Sequence, residues 1–141
     1  MKTLVLLLLA GIIAVGCASS DENNDNNEQQ IENLVELRSP GEQRHTGSDV
    51  YIDSVRLIND NNQTALLVSG SFPDGCTHLG RASHTTLNGQ IKLSLSAWRD
   101  PDMMCTQVLT PFSFIYSGLV QEKKLKQQSA VLVNGTPFEL K

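Results

Sequence analysis

The chain has few aromatic residues and no excess of positive charge. Of its 141 residues, 5% are aromatic, with one Trp and two Tyr among them. Lys and Arg number 11 against 15 Asp and Glu, so the formal net charge is −4 at pH 7. Because a nucleic-acid-binding domain normally carries a basic patch, this balance argues against a nucleic-acid partner. The length allows one domain.

The motifs of the common enzyme classes are also missing. The sequence contains no G-x-S-x-G elbow, P-loop, dinucleotide fingerprint or H-E-x-x-H pattern. His45 lies in the predicted entry segment, while His78 and His84 lie in a stretch predicted to be a turn or an irregular strand. Asp100 and Asp102 flank a proline, which favours a structural turn over a catalytic pair. We therefore predict a protein that is not an enzyme and uses no cofactor, metal or small-molecule substrate.

Residues 1–16 have the pattern of a bacterial signal peptide. Lys2 supplies a positive start, and residues 4–15 form an uncharged run of twelve residues. A transmembrane helix needs about 20 apolar residues, so the run is too short to span a membrane. Its length matches the apolar region of a signal peptide.

The end of this segment, Ala14-Val15-Gly16-Cys17, resembles the lipobox of bacterial lipoproteins. The resemblance implies cleavage before Cys17, lipidation of its thiol and anchoring in the cell envelope. Because Ala18 rather than Asp follows the cysteine, the pattern is similar to that of outer-membrane lipoproteins, which face the periplasm or the cell surface. The position usually held by Leu is Ala14 here, and ordinary cleavage after Ala18 is the alternative.

Residues 17–39 are predicted to be the lipidated cysteine followed by an acidic, flexible tether. Six acidic residues oppose a single Arg between positions 18 and 39, and Asn is abundant. Such a composition buries too little apolar surface to offset the entropy of ordering. Ile31, Leu34 and Val35 are the apolar exception, predicted as either one helical turn or a short docking strand.

Between residues 40 and 141, strand-like runs alternate with turn signals, which predicts an all-β antiparallel sandwich of six to eight strands. The predicted strands are residues 49–58, 64–72, 90–98, 112–116, 130–133 and 136–140. In the third of them every second residue is apolar, which predicts one buried face. Its apolar positions are Ile91, Leu93, Leu95 and Ala97. Residues 119–128 are the one helical candidate, predicted as either an exposed helical turn or the crossover between the sheets.

A β-hairpin is predicted at the C-terminal end of the sequence. Asn134-Gly135 between two alternating runs is the signature of a type I′ turn, because both residues accept positive φ. The residues predicted to point into the core are Val131, Val133, Phe138 and Leu140. Pro137 has no backbone N–H, which places it at a sheet edge.

With Cys17 assigned to the lipid, the remaining cysteines, Cys76 and Cys105, form one pair. In an exported domain such a pair predicts a disulfide. The alternative is a copper or zinc site, since thiolate, thioether and imidazole suit those metals. Its candidate ligands are Cys76, His78, His84, Met103, Met104 and Cys105.

Four short motifs carry a second resemblance. They are Pro73-Asp74-Gly75-Cys76-Thr77, Cys105-Thr106-Gln107, Pro111-Phe112 and Val133-Asn134-Gly135. Together they resemble a group of small secreted or lipid-anchored prokaryotic domains, over residues 49–141. The resemblance implies an immunoglobulin-like sandwich with a Cys76–Cys105 bridge and no catalytic residue.

A candidate interaction patch follows the third predicted strand. It comprises Trp98, Arg99, Met103 and Met104, and Trp, Arg and Met are enriched at protein interfaces. By alternation Trp98 falls on the polar face, which allows partial exposure in an interaction patch; the favoured interpretation is that it caps the end of the sandwich core. The sequence therefore predicts an envelope lipoprotein with a non-catalytic binding or structural domain and an envelope protein as partner. The alternative is a periplasmic inhibitor of a lysozyme or protease, since preorganised loops lose little entropy on binding.

Overall fold

The computed structural model describes residues 31–119 and 125–140 of the chain. Within these ranges the chain forms eight strands and one short 3₁₀ helix, Leu125–Gln127. The strands are β1 (Thr46–Ser48), β2 (Tyr51–Asp60), β3 (Gln63–Phe72), β4 (His78–Leu87), β5 (Gln90–Arg99), β6 (Thr110–Tyr116), β7 (Ala130–Val133) and β8 (Thr136–Glu139). The prediction of an all-β sandwich is confirmed.

The smaller sheet has three antiparallel strands in the order β2-β3-β6. Asn61 and Asn62 join β2 to β3 with φ of 47° and 64°, a region that Asn tolerates better than other non-glycine residues. A register shift between Ile52 and Ser54 interrupts the β2–β3 ladder. β6 then pairs along the other edge of β3, so β3 lies between two partners.

The larger sheet is built around β5. β4 pairs along one edge of β5, whereas the other edge is shared by β1 at residues 97–99 and β7 at residues 92–93. β7 lies parallel to β5, an exception to the antiparallel arrangement predicted from the sequence.

Asn134 fills the gap between β1 and β7 on this edge of β5. Its backbone N–H donates to Leu93 O at 3.0 Å. Its side-chain Oδ1 accepts from Leu95 N at 2.8 Å, and its Nδ2 donates to Leu95 O at 3.0 Å. The amide therefore continues the ladder where no strand is present.

The core lies between the two sheets and follows the predicted alternation of β5. Ile91, Leu93, Leu95 and Ala97 are all buried. From the smaller sheet, Phe72 and Phe112 stack with ring centroids 4.4 Å apart and an interplanar angle of 14°. Offset aromatic pairs at this spacing add to the stabilisation from buried area.

The predicted C-terminal hairpin is confirmed. Val131 and Val133 are fully buried, and Phe138 and Leu140 pack against the core. Asn134 and Gly135 have φ of 50° and 85°. Pro137 lies in β8, which is an edge strand as predicted.

Replacing Gly135 by Val is expected to destabilise the domain by about 1–3 kcal/mol, because a β-branched residue is strained at positive φ. A built Cβ at this position has no atom within 4 Å, so the loss would reflect backbone strain alone. Gly47→Ala is a matched control, since that site is equally open and has no positive φ. Urea unfolding of the two variants checks this; equal stabilities would contradict it.

Of the two alternatives predicted for the stretch around His78 and His84, a turn or an irregular strand, the structure agrees with the irregular strand: it is β4, whose pairing with β5 shifts register between Leu79 and Arg81. Its ten residues include His, Arg, Ser and Thr, and most of its second half is exposed. Among the described strands, β4 pairs with β5 alone, so its sequence needs little apolar alternation.

Residues 119–128 were predicted to be a helical turn or the crossover between the sheets. The 3₁₀ helix Leu125–Gln127 agrees with a helical turn, and residues 120–124 lie outside the described ranges. No helix in residues 31–119 or 125–140 is long and apolar enough to cross a membrane.

The segment before residue 40 contacts both sheets. Leu34 forms a parallel bridge with Ser113 of β6. Farther along, the Arg38 N–H donates to Leu79 O of β4 at 2.8 Å. Of the two alternatives predicted for this segment, the docking strand agrees with these contacts. The signal peptide, Cys17 and residues 18–30 lie outside the described ranges, and the domain boundaries at 16 and 39 stay predictions.

Candidate functional site

A disulfide links two loops at one end of the sandwich. The Sγ atoms of Cys76 and Cys105 are 2.06 Å apart, which confirms the predicted pairing. Cys76 follows β3, and Cys105 lies in residues 100–109 between β5 and β6, a segment named here the apolar loop. Because both sulfurs form the disulfide, neither supplies a thiolate to the alternative metal site. His84 is engaged elsewhere, with its Nδ1 2.7 Å from Tyr116 Oη.

Asp74 organises the turn that carries Cys76. Only 2% of Asp74 is exposed. Its Oδ1 accepts hydrogen bonds from Cys76 N and Thr77 Oγ1, both at 2.9 Å. Its Oδ2 lies 2.7 Å from Arg99 Nη1 in a partly buried ion pair. The Pro-Asp-Gly-Cys-Thr motif therefore has a structural role in positioning the disulfide.

These contacts lower the pKa of Asp74. Burial by itself raises the pKa of this carboxyl, but hydrogen bonds from Cys76 and Thr77 and the positive charge of Arg99 outweigh it. A carboxyl with a lowered folded-state pKa stabilises the fold above its unfolded pKa of about 3.9. That contribution is lost as the pH falls through the folded-state value.

Asp74→Ala is expected to cost about 2–4 kcal/mol at pH 7, because it leaves Arg99 and two donors without their partner. The difference between parent and variant should shrink as the pH falls below about 4 toward the lowered folded-state pKa of Asp74, through which the folded parent also protonates this carboxyl. Urea unfolding at pH 7 and pH 3 measures both effects. An equal difference at the two pH values would show that the charge of Asp74 does not matter.

Trp98 lies on the outer face of β5, as predicted, and it is 5% exposed, which agrees with the favoured interpretation of a buried side chain at the end of the sandwich and not with partial exposure. The segment before β1 covers it. The indole N–H donates to Arg38 O, and the Arg38 guanidinium lies 5.8 Å from the ring centroid. The His78 ring lies 4.9 Å away. Gly80 permits this packing, since a Cβ there would lie 2.8 Å from Trp98 Cδ1.

His78 belongs to this packing arrangement. Burial lowers its pKa, and the neighbouring Arg38 charge lowers it further, against an opposing effect of Asp74. The Arg38 Nη1 lies 3.3 Å from His78 Nε2.

Asp100 accepts a hydrogen bond from the Asp102 N–H at 2.9 Å, which confirms the predicted turn. These candidate catalytic residues therefore have structural contacts of their own.

The structure divides the predicted interaction patch into two parts. Trp98 is buried, and the Arg99 guanidinium forms an ion pair with Asp74. Met103 and Met104 lie in the apolar loop, and Met104 is 98% exposed. Sequence reasoning missed Val108 and Leu109, which are also more than half exposed. The sequence feature that could have identified them is a pair of adjacent apolar residues outside any stretch in which apolar and polar residues alternate.

The apolar loop is fixed at several points. The disulfide holds Cys105, and the Gly75 N–H donates to Thr106 O at 3.2 Å. Arg44 forms an ion pair with Asp102 at 3.3 Å. Of eight exposed large hydrophobic residues in the described part of the chain, four lie here: Met103, Met104, Val108 and Leu109. The loop thus presents apolar side chains from a constrained backbone.

This geometry defines the class of the protein: a disulfide-linked β-sandwich with a constrained apolar loop. The model of the ORF11 beta-sandwich domain family matches residues 66–140, more than half of the chain. The chain belongs to this family.

Curated relatives come from Herpetosiphon aurantiacus. The chain is 32% identical over 80 residues to the "Uncharacterized 10.2 kDa protein in HgiCIIM 5'region", covering 56% of this chain and 82% of the relative. It is 35% identical over 51 residues to the "Uncharacterized 10.2 kDa protein in HgiBIM 5'region", covering 36% of this chain and 62% of that relative. No solved structure matches the chain.

Proposed function

We propose that the protein is a cell-envelope lipoprotein whose β-sandwich is a non-catalytic binding module. The lipid on Cys17 holds it at the membrane, in the outer-membrane pattern given by Ala18. The apolar loop is its contact surface. The observation that carries the proposal is the 98% exposure of Met104 beside the disulfide cysteine.

The physical case for a contact surface rests on the loop's combination of exposure and constraint. Clustered exposed apolar side chains mark interaction sites in soluble domains. Methionine adapts its unbranched side chain to an irregular partner surface. A loop held by a disulfide and by hydrogen bonds loses less conformational entropy on binding than a free loop.

Cys17→Ser is expected to block lipidation and maturation, because serine lacks the thiol that forms the thioether. The parent protein should sediment with membranes after alkaline washing, and the variant should keep its unprocessed mass. Cell fractionation with mass spectrometry measures both. A variant that is processed and sediments like the parent would contradict the anchor.

A second candidate function is inhibition of an envelope hydrolase, and Met104 is the observation that favours it. An exposed side chain in the middle of a constrained loop has the form of an anchor residue that fills a pocket. The purified domain would then inhibit a lysozyme or a protease at stoichiometric concentration. Met104→Asp should weaken that inhibition at least about tenfold, since burial of a methionine contributes roughly 1.5–3 kcal/mol. Unchanged inhibition by the variant would exclude the loop as the inhibitory element.

A further inference from the structure

We infer that the apolar loop docks on the lipid surface to which the chain is anchored. The inference deepens the proposed function and rests on it, since it needs the lipid on Cys17. It names the occupant of the contact surface: the bilayer interface beside the anchor.

The first observation is the place where the chain enters the sandwich. Asn33 O accepts from the Ser113 N–H at 2.8 Å, and the Val35 N–H donates to Ser113 O at 2.8 Å. This pairing is parallel to β6, so Ile31 lies toward the start of β6 and lines a surface cleft with Pro111. β6 begins directly after the apolar loop. The chain therefore enters at the same end of the sandwich that carries the loop.

The second observation is the length of chain between the anchor and this end. Thirteen residues, 18–30, separate Cys17 from Ile31. Even fully extended, they span at most about 45 Å. The lipid on Cys17 would therefore hold the point where the chain enters the sandwich within about 45 Å of the bilayer surface.

The third observation is the difference between the two ends of the sandwich. At the loop end, Met103, Met104, Val108 and Leu109 are exposed. At the opposite end, the β2–β3 turn consists of Asn61 and Asn62, and the β4–β5 turn of Asn88 and Gly89. The loop end therefore carries four exposed large hydrophobic side chains, whereas the opposite end has polar turns and, among the described residues, Leu87 as its exposed large hydrophobic side chain.

Two carboxylates at the loop end have cationic partners. Asp102 forms an exposed ion pair with Arg44, and the buried Asp74 is paired with Arg99. Arg38 lies at the same end, over Trp98. Asp100 of the loop has no ion pair among the described residues, so the attraction to the bilayer comes from apolar contact. A docked loop together with the acyl chains gives two membrane attachments and a defined orientation of the domain.

The test measures the depth of an introduced tryptophan in the lipidated protein. The mature Met104→Trp protein is reconstituted in vesicles of phosphatidylethanolamine and phosphatidylglycerol, with bromine on the acyl chains of part of the lipid. Leu87→Trp is the matched control, since Leu87 is also exposed but lies beside the opposite turn. The parent, whose single tryptophan is the buried Trp98, supplies the background emission. We expect bromine to remove most of the added emission of Met104→Trp and none of that of Leu87→Trp.

Equal and weak quenching of the two variants, with acyl chains detected on Cys17, would overturn the inference and leave the anchor intact. Met104→Trp emission that remains open to aqueous iodide would likewise overturn it, because the loop would then lie in water and not in the bilayer. A mature protein without acyl chains would refute the proposed anchor itself, and the docking inference with it. The N-terminal mass, measured on the same samples, separates these outcomes.

Discussion

A chain that ends before Ser129 is expected to lose its cooperative unfolding transition. The truncation removes β7 and β8, and with them two fully buried residues, Val131 and Val133. It also removes Phe138 and Leu140, which pack against the core. Full burial of Val131 and Val133 contributes roughly 1.5–3 kcal/mol each, and the partly buried Phe138 and Leu140 add to this. The loss is therefore a large share of the total stability of a domain, about 5–15 kcal/mol.

The same truncation exposes the edge of β5. Leu93 O and both backbone polar groups of Leu95 lose their hydrogen bonds to Asn134. Thermal unfolding by circular dichroism, together with limited proteolysis, measures the effect. If the truncated chain kept a sharp transition and resisted protease, β7 and β8 would not belong to the core, and the sandwich assignment would be wrong.

Cys76→Ala and Cys105→Ala are each expected to destabilise the domain by about 2–5 kcal/mol. The two cysteines are 29 positions apart, and closing a loop of this length accounts for roughly 3.5 kcal/mol in the chain-entropy description. The double variant should be no less stable than either single variant, because all three lack the same bond. Urea unfolding of the four proteins measures this.

The stability of the double variant also shows whether the two cysteines stabilise the fold only through their shared disulfide. Strongly additive single losses would mean that each cysteine has a separate role in the fold. In the expected case the remaining structure of the Cys76 turn is held by Asp74, through its hydrogen bonds to Cys76 N and Thr77 Oγ1. Without the disulfide, the apolar loop keeps the Gly75–Thr106 hydrogen bond and the exposed Arg44–Asp102 ion pair as its constraints.

Local patterns explain which parts of the fold were predictable. The alternation in β5 gave its buried face, and Asn134-Gly135 gave the C-terminal turn. The cysteine count together with the predicted export gave the disulfide. These features are encoded within about ten residues or by composition. For β4 the sequence left a turn and an irregular strand open, because an edge strand with a half-exposed sequence needs no strict alternation.

Features that depend on contacts between distant segments could not be predicted from local sequence patterns. Trp98 sits on the polar face of β5, and its burial depends on Arg38, sixty positions earlier. The parallel pairing of β5 with β7 likewise depends on how the chain returns after Leu119. In the candidate site, Met103 and Met104 were identified by residue type. Val108 and Leu109 were missed because their exposure is a property of the folded loop.

The intact mass of the mature N-terminus tests the central claim most directly. Protein purified from the membrane fraction of its host should begin at Cys17, and its mass should include a thioether-linked diacylglyceryl group. An unmodified N-terminus at Ser19 would contradict the account, because the sandwich would then have no lipid to hold its apolar loop at a membrane.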